Sequence, residues 1–197
     1  TILYFIYVYG VMDSMSEQMM NMHWLTEMVN YHLPRWEELP EIDLYMDQVL
    51  HFIEKYAIFP VDEEGQSITK SMINNYVKLG LMPKPIKKKY SRTHVAYLIA
   101  ITTLKQVLTI SEVQQACIQQ IKKCGERESY NLFCQEQENA MKYVIGKMTG
   151  QNFLADEIQT EKLTSENRTI KLATLAFASK VMTQKIIQYE ALEQSNL

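Results

Sequence analysis

Between Ser67 and Ser111 the chain has no acidic residue, although Asp and Glu outnumber Lys and Arg by 23 to 20 overall. Other scarcities bound the answer first. Only 6 glycines and 5 prolines interrupt it, which excludes collagen-like and low-complexity classes and favours long helices in a soluble globular protein. Cys117, Cys124 and Cys134 are odd in number and match no zinc spacing, so reduced thiols in a cytosol are expected. His23, His32, His51 and His94 form no His-x-x-x-His or His-Glu-x-x-His pair, and no metal site is expected. The chain also lacks a Gly-rich phosphate loop, a nucleophile elbow and paired carboxylates with a nearby His. Glu37-Glu38 and Asp62-Glu63-Glu64 read as solvated charge, so neither catalytic residues nor a cofactor is expected, and the chain is not read as an enzyme. The apolar stretch TILYFIYVYGVM, residues 1–12, falls short of the roughly 20 residues that span a bilayer. It suits a short strand or extended arm, and no membrane partner is expected.

What is present is mainly helical. Met15, Met19, Met22, Leu25, Met28, Val29 and Leu33 recur at helical spacing behind a cap at Ser14 or Ser16. LPRWEELP, with a proline at each end, is a connector. Ile42, Tyr45, Val49, Phe52, Ile53 and Tyr56 mark a second helix stopped at Phe59-Pro60, and VDEEGQS is a polar loop. A short helix from Thr69 to Leu79, capped at Thr69 or Ser67, ends at Gly80. LMPKPIKKKY, too rigid for a helix, predicts a small β-turn or wing. Helices then follow from Ser91, from TISEV up to Gly125, from there to the MTG at 148–150, and from a cap at Thr164 or Ser165 with Ile170, Ala173, Phe177, Val181, Ile186 and Tyr189 inside. The fold class is therefore all-α in the main, with about seven helices.

Charge is segregated along this order. Residues 1–64 hold two basic and twelve acidic side chains, 65–111 hold eight and none, and 112–197 hold ten and eleven. So uneven a distribution gives the middle segment a positive field that attracts polyanions, nucleic acid foremost. The lysines of the turn also suit a solvated loop, or docking on the acidic N-terminal segment of the same or another chain. The short helix before them carries Asn74, Asn75 and Tyr76, residue types that reach base edges and phosphates.

The order of residues from Ile68 to Val113 resembles the winged helix-turn-helix of the MerR family. Tyr76 to Leu81 matches its Tyr-x-x-x-Gly-Leu pattern, KKKYS its step from wing to helix, and TISEV its next helix start. Leu33 to Val113, with LPRWEELPEIDLYMDQVL and KKYSRTHVAYLI, resembles a Gram-positive bacterial domain family of unknown function. Asn74 and Asn75 stand where MerR-like recognition helices carry Arg, and the loop PVDEEGQS is long and acidic.

The resemblance implies three regions: an N-terminal arm and helix over 1–33, a winged helix-turn-helix-like domain over 34–125, and a C-terminal helical region over 126–197 for dimerisation or an effector. It implies a cytoplasmic transcriptional regulator. Thr69, Lys70, Asn74, Asn75, Tyr76 and Lys78 would lie on its recognition helix, with Lys84, Lys87, Lys88, Lys89 and Arg92 on wing and backbone. Its partners would be double-stranded DNA, a second copy of the chain and a small-molecule effector. A protein-interaction or scaffold module that keeps the fold without binding DNA is the other reading.

Overall fold

Short-range chemistry at helix ends sets most of the architecture seen in the computed structural model, which describes residues 23–56, 68–154 and 162–195. Seven α-helices lie among them: α1 (His23–Val29), α2 (Met46–Tyr56), α3 (Lys70–Lys78), α4 (Arg92–Leu104), α5 (Ile110–Cys124), α6 (Glu126–Thr149) and α7 (Arg168–Ser195). The expected arm at 1–12, the caps at Ser14, Ser16 and Ser67, the stop at Phe59-Pro60 and the loop VDEEGQS lie outside the described residues.

Thr69 is extended and its hydroxyl oxygen accepts the Met72 N–H at 3.2 Å, which satisfies one of the free donors at the start of α3. The far end closes in a Schellman motif. Gly80 takes φ 71°, the Leu81 N–H donates to the Tyr76 carbonyl at 2.9 Å, and the Gly80 N–H donates to Val77 at 3.1 Å. At α4, the Nδ1 atom of His94 accepts the Ser91 N–H at 3.0 Å. At α5, Thr109 and Glu112 form a reciprocal box: the Thr109 N–H donates to the Glu112 carboxylate at 2.7 Å, and the Glu112 N–H to the Thr109 hydroxyl at 3.3 Å. Gly125 at φ 85° separates α5 from α6.

A two-stranded antiparallel sheet pairs β1 (Leu44–Tyr45) with β2 (Lys89–Tyr90), in register Leu44 to Tyr90 and Tyr45 to Lys89. Just before β2, Ile86 and Lys89 exchange both backbone hydrogen bonds, at 2.9 and 3.2 Å. Lys87 and Lys88 form the two-residue turn between them at φ 51° and 64°. Positive φ at both central residues is the type I′ hairpin, whose twist matches that of the strands. The expected β-turn is this hairpin, and its partner strand precedes α2.

That pairing alters the start of the second helix. Ile42 and Tyr45 were expected on its buried face, but they are 72% and 56% exposed and precede Met46. Leu44 is the residue turned inward, because a strand alternates faces where a helix would not. Val49 and Ile53 then carry the buried side of α2 as expected.

The chain divides into two compact units. One comprises His32–Gln137 with Leu163–Phe177, so Gly125, where a boundary was expected, lies between two helices of the same unit. Its core holds Leu33, Leu39, Ile73, Val95, Leu98 and Ile101 among others, each contributing about 1.5–3 kcal/mol by burial. The other comprises residues up to Tyr31, Glu138–Lys162 and residues from Ala178. There Leu25, Met141, Ile145, Ala178, Val181 and Met182 are buried.

The last helix also begins later than expected, at Arg168. The Asn167 carbonyl accepts the Lys171 N–H, and its side-chain oxygen takes the Thr164 N–H at 2.8 Å, so Thr164 and Ser165 belong to the preceding turn. Ala173, Phe177 and Val181 are buried in the monomer. They are core, and the apolar stripe they form is not free for a second copy.

Candidate nucleic-acid interface

The polar face of α3 follows from its spacing. Ile73 and Tyr76, three apart, turn inward; Lys70, Asn74, Asn75 and Lys78 are exposed. Tyr76 departs from the surface expected of it, being 3% exposed. The ammonium of Lys105 lies 5.9 Å from the centre of its ring, and burial pushes its phenol above the usual tyrosine range. Tyr76 therefore anchors α3 and cannot reach a duplex in this conformation. The signal was available: the Schellman motif buries the third residue from the helix end together with the second residue after it, here Tyr76 and Leu81.

The cations divide into two groups. Lys70 is paired with Asp47 of α2 at 2.5 Å, on the surface. Arg92 faces Glu41 at 3.6 Å and is three-quarters covered. Lys89 lies over the Tyr45 ring at 5.3 Å, directly across the sheet. These three are engaged within the fold, through carboxylates and a ring that sequence position alone does not bring to them. Lys78, Lys84, Lys87 and Lys88 are exposed and have no carboxylate partner among the described residues. Thr69 is half-buried and its hydroxyl oxygen is used by the cap.

Lys87 and Lys88 are the most unusual of the set. A non-glycine residue in the left-handed region costs about 1–2 kcal/mol, and Asn-Gly is the ordinary solution for this turn. Two lysines there put two ammonium groups on the tip of a hairpin at a conformational cost, a pattern characteristic of functional sites.

The α3 terminus is fixed from behind. The Gln114 side-chain amide of α5 donates to the Gly80 carbonyl at 3.1 Å and to that of Leu79 at 3.3 Å. The Lys105 ammonium contacts the Met72 sulfur at 3.7 Å. Sequence reading did not single out Gln114 or Lys105.

Among the described residues no group of three or more His, Cys, Asp or Glu side chains gathers to hold a metal ion, and no helix is long and apolar enough to cross a membrane. Residues 34–143 match the family described as domain of unknown function DUF1836. The chain belongs to this family. The DUF1836 match runs from Pro34 in the connector before β1 to Tyr143 in α6, and so takes in every residue of the candidate interface. No curated protein and no solved structure matches the chain.

Proposed function

We propose that the chain is a DNA-binding transcriptional regulator built on a MerR-like winged helix-turn-helix and working as a homodimer in the cytoplasm. The observation that carries the reading is the hairpin tip: Lys87 and Lys88, exposed and held at positive φ, in a stretch without acidic side chains. The order β1, α2, α3, hairpin, α4, α5 supports the winged assignment. In this reading α3 enters the major groove, with Asn74 or Asn75 at an adenine edge, where a side-chain amide bonds bidentately. Lys78, Lys84, Lys87 and Lys88 hold phosphates, which sets affinity without sequence information. Lys70, Lys89 and Arg92 brace helix and hairpin through Asp47, Tyr45 and Glu41. One such module reads one half-site, hence the second copy.

Selection of binding sites from random duplexes tests the reading. The native chain is expected to enrich a motif, and Asn74→Ala or Asn75→Ala to lose one position of it at a cost of about 1–3 kcal/mol. Enrichment of no motif would overturn it.

A specific observation favours the other reading, a protein-interaction module. Ile42, Tyr45 and Ile86 are large, apolar and 72%, 56% and 73% exposed in or beside the small sheet, a combination typical of partner surfaces. Under that reading Ile86→Ser abolishes partner capture, and binding to duplexes is absent at low salt.

A further inference from the structure

In the unit that contains the hairpin, α4, α5, the first turns of α6 and the start of α7 surround an apolar cavity of about 70 Å³ that opens to the surface. Alanines create the space where helices face one another: Ala96 and Ala100 from α4, Ala116 from α5 and Ala173 from α7. Trp36, Tyr97, Tyr130 and Phe133 supply aromatic walls. Protein interiors pack with few voids larger than a water molecule. A recess of this size holds more than the single water that needs roughly 10–15 Å³, and so has room for an organic group.

Three polar groups in its lining offer bonding capacity that the described residues do not use. Gln120 is 8% exposed; its side-chain nitrogen donates to the Cys124 sulfur at 3.5 Å, and its Oε1 atom has no partner among the described residues. The hydroxyl of Tyr97 and the thiol of Cys117, both in the lining, likewise have no hydrogen-bond partner among those residues. Groups that line the cavity without such a partner can bond a molecule that carries matching donors and acceptors.

No net charge faces inward. Burial pushes the Tyr97 phenol up to about 12, with Glu126 and Cys117 adding to it, and burial pushes the Cys117 thiol up to about 11, so both are neutral near pH 7. The two ionic lining groups are opposite in sign, exposed and engaged. The Lys123 ammonium donates to the Ser165 carbonyl at 2.8 Å, and Glu126 accepts the Thr93 hydroxyl at 3.2 Å. An ion entering the cavity would lose hydration without gaining a partner.

We propose that this cavity binds a small uncharged molecule, apolar over most of its surface, with an acceptor for the Tyr97 hydroxyl and a donor for Gln120 Oε1. Ala96, Tyr97 and Ala100 lie on the cavity side of α4, while the Ser91–His94 cap at its start follows directly on β2. Occupancy therefore bears on the helix that follows the hairpin, and the ligand acts as an effector. That last consequence rests on the nucleic-acid reading; binding itself does not.

The test uses an uncharged dye with one carbonyl acceptor, 6-propionyl-2-dimethylaminonaphthalene. Titrated into the full chain, it is expected to bind saturably with a blue-shifted emission, and in Trp24→Phe, where Trp36 is the remaining tryptophan, to quench the Trp36 emission. Ala100→Phe and Ala116→Phe fill the cavity from two different helices, and each is expected to weaken binding at least tenfold while circular dichroism and melting stay native. The anionic dye 1-anilinonaphthalene-8-sulfonate is expected to bind more weakly than the neutral one. Absence of saturable binding to the native chain overturns the proposal, as does unchanged affinity in either folded variant or a preference for the anion. All these readouts are free of DNA, so a failed duplex assay leaves them intact, and their failure leaves the duplex assay intact.

Discussion

The hydroxyl of Tyr130 donates to the carbonyl oxygen of Pro34 at 2.8 Å, a buried bond between residues 96 positions apart. It fastens the connector before β1 to α6. The Cys134 thiol reaches the same carbonyl at 3.7 Å as a weaker donor. Tyr130→Phe keeps the ring and removes the strong donor, so a loss of about 1–2 kcal/mol is expected. Calorimetry should register this as a fall in Tm of about 2–8 °C. A melt superimposable on the native one would mean that Cys134 alone satisfies the carbonyl.

The hairpin tip sets stability against affinity. Changing Lys87→Asn together with Lys88→Gly supplies the residues a type I′ turn prefers and should stabilise the chain by about 1 kcal/mol per position. The same pair should weaken binding to all duplexes alike and lower the slope of log K against log salt by about 0.9 for each phosphate that is no longer neutralised. Gel shifts across a salt series, run beside thermal melts, separate the two effects. A raised Tm with an unchanged salt slope removes the tip from any interface.

Acid should act through capping carboxylates. The Glu112 carboxyl lies below the usual carboxylate range because the Thr109 N–H and then its hydroxyl donate to it. Glu38 is lowered in the same sense by the Arg35 N–H and then by His32. In each the folded value is depressed, so the stabilisation is complete above the ordinary value near 4.5 and disappears as pH falls through the folded value. Denaturant midpoints measured from pH 7 to pH 3 should therefore fall less steeply in Glu112→Gln and Glu38→Gln than in the native chain, from a lower starting point at pH 7. Parallel curves would assign the acid response to other groups.

The last helix should prove indispensable to folding. Phe177 is 7% exposed and Val181 2%, and truncation of a buried Phe to Ala alone costs about 3–5 kcal/mol. A chain cut after Leu163 is expected to lose its cooperative melt. Light scattering that found it a folded monomer would return the stripe to the surface.

Much of this fold was legible because its signals are local. Thr69, Ser91, Thr109 and Gly125 declare helix ends through residues within a few positions of themselves, and the structure uses all four. β1 was missed because two residues show no period, and its hydrogen-bond partner lies on the far side of two helices. The cap of α7 was misplaced by one turn because Thr164, Ser165 and Asn167 are all cap formers, and only the backbone bonds choose among them. In the candidate interface, charge was legible and engagement was not. Nothing in the sequence pairs Lys70 with Asp47 or Lys89 with Tyr45. The cavity was equally hidden, because Ala96, Ala100, Ala116 and Ala173 read individually as good helix formers.

The pairing of Tyr45 with Lys89 also bears on the order of events in folding. The helices of this unit close through contacts a few residues apart, but the strand pair must close a loop of roughly forty residues, at an entropic cost of about 3 kcal/mol. During synthesis β1 emerges first and stays unpaired until β2 follows it. The turn at Lys87 and Lys88 closes locally through Ile86 and Lys89, but its orientation against β1 waits on that longer closure.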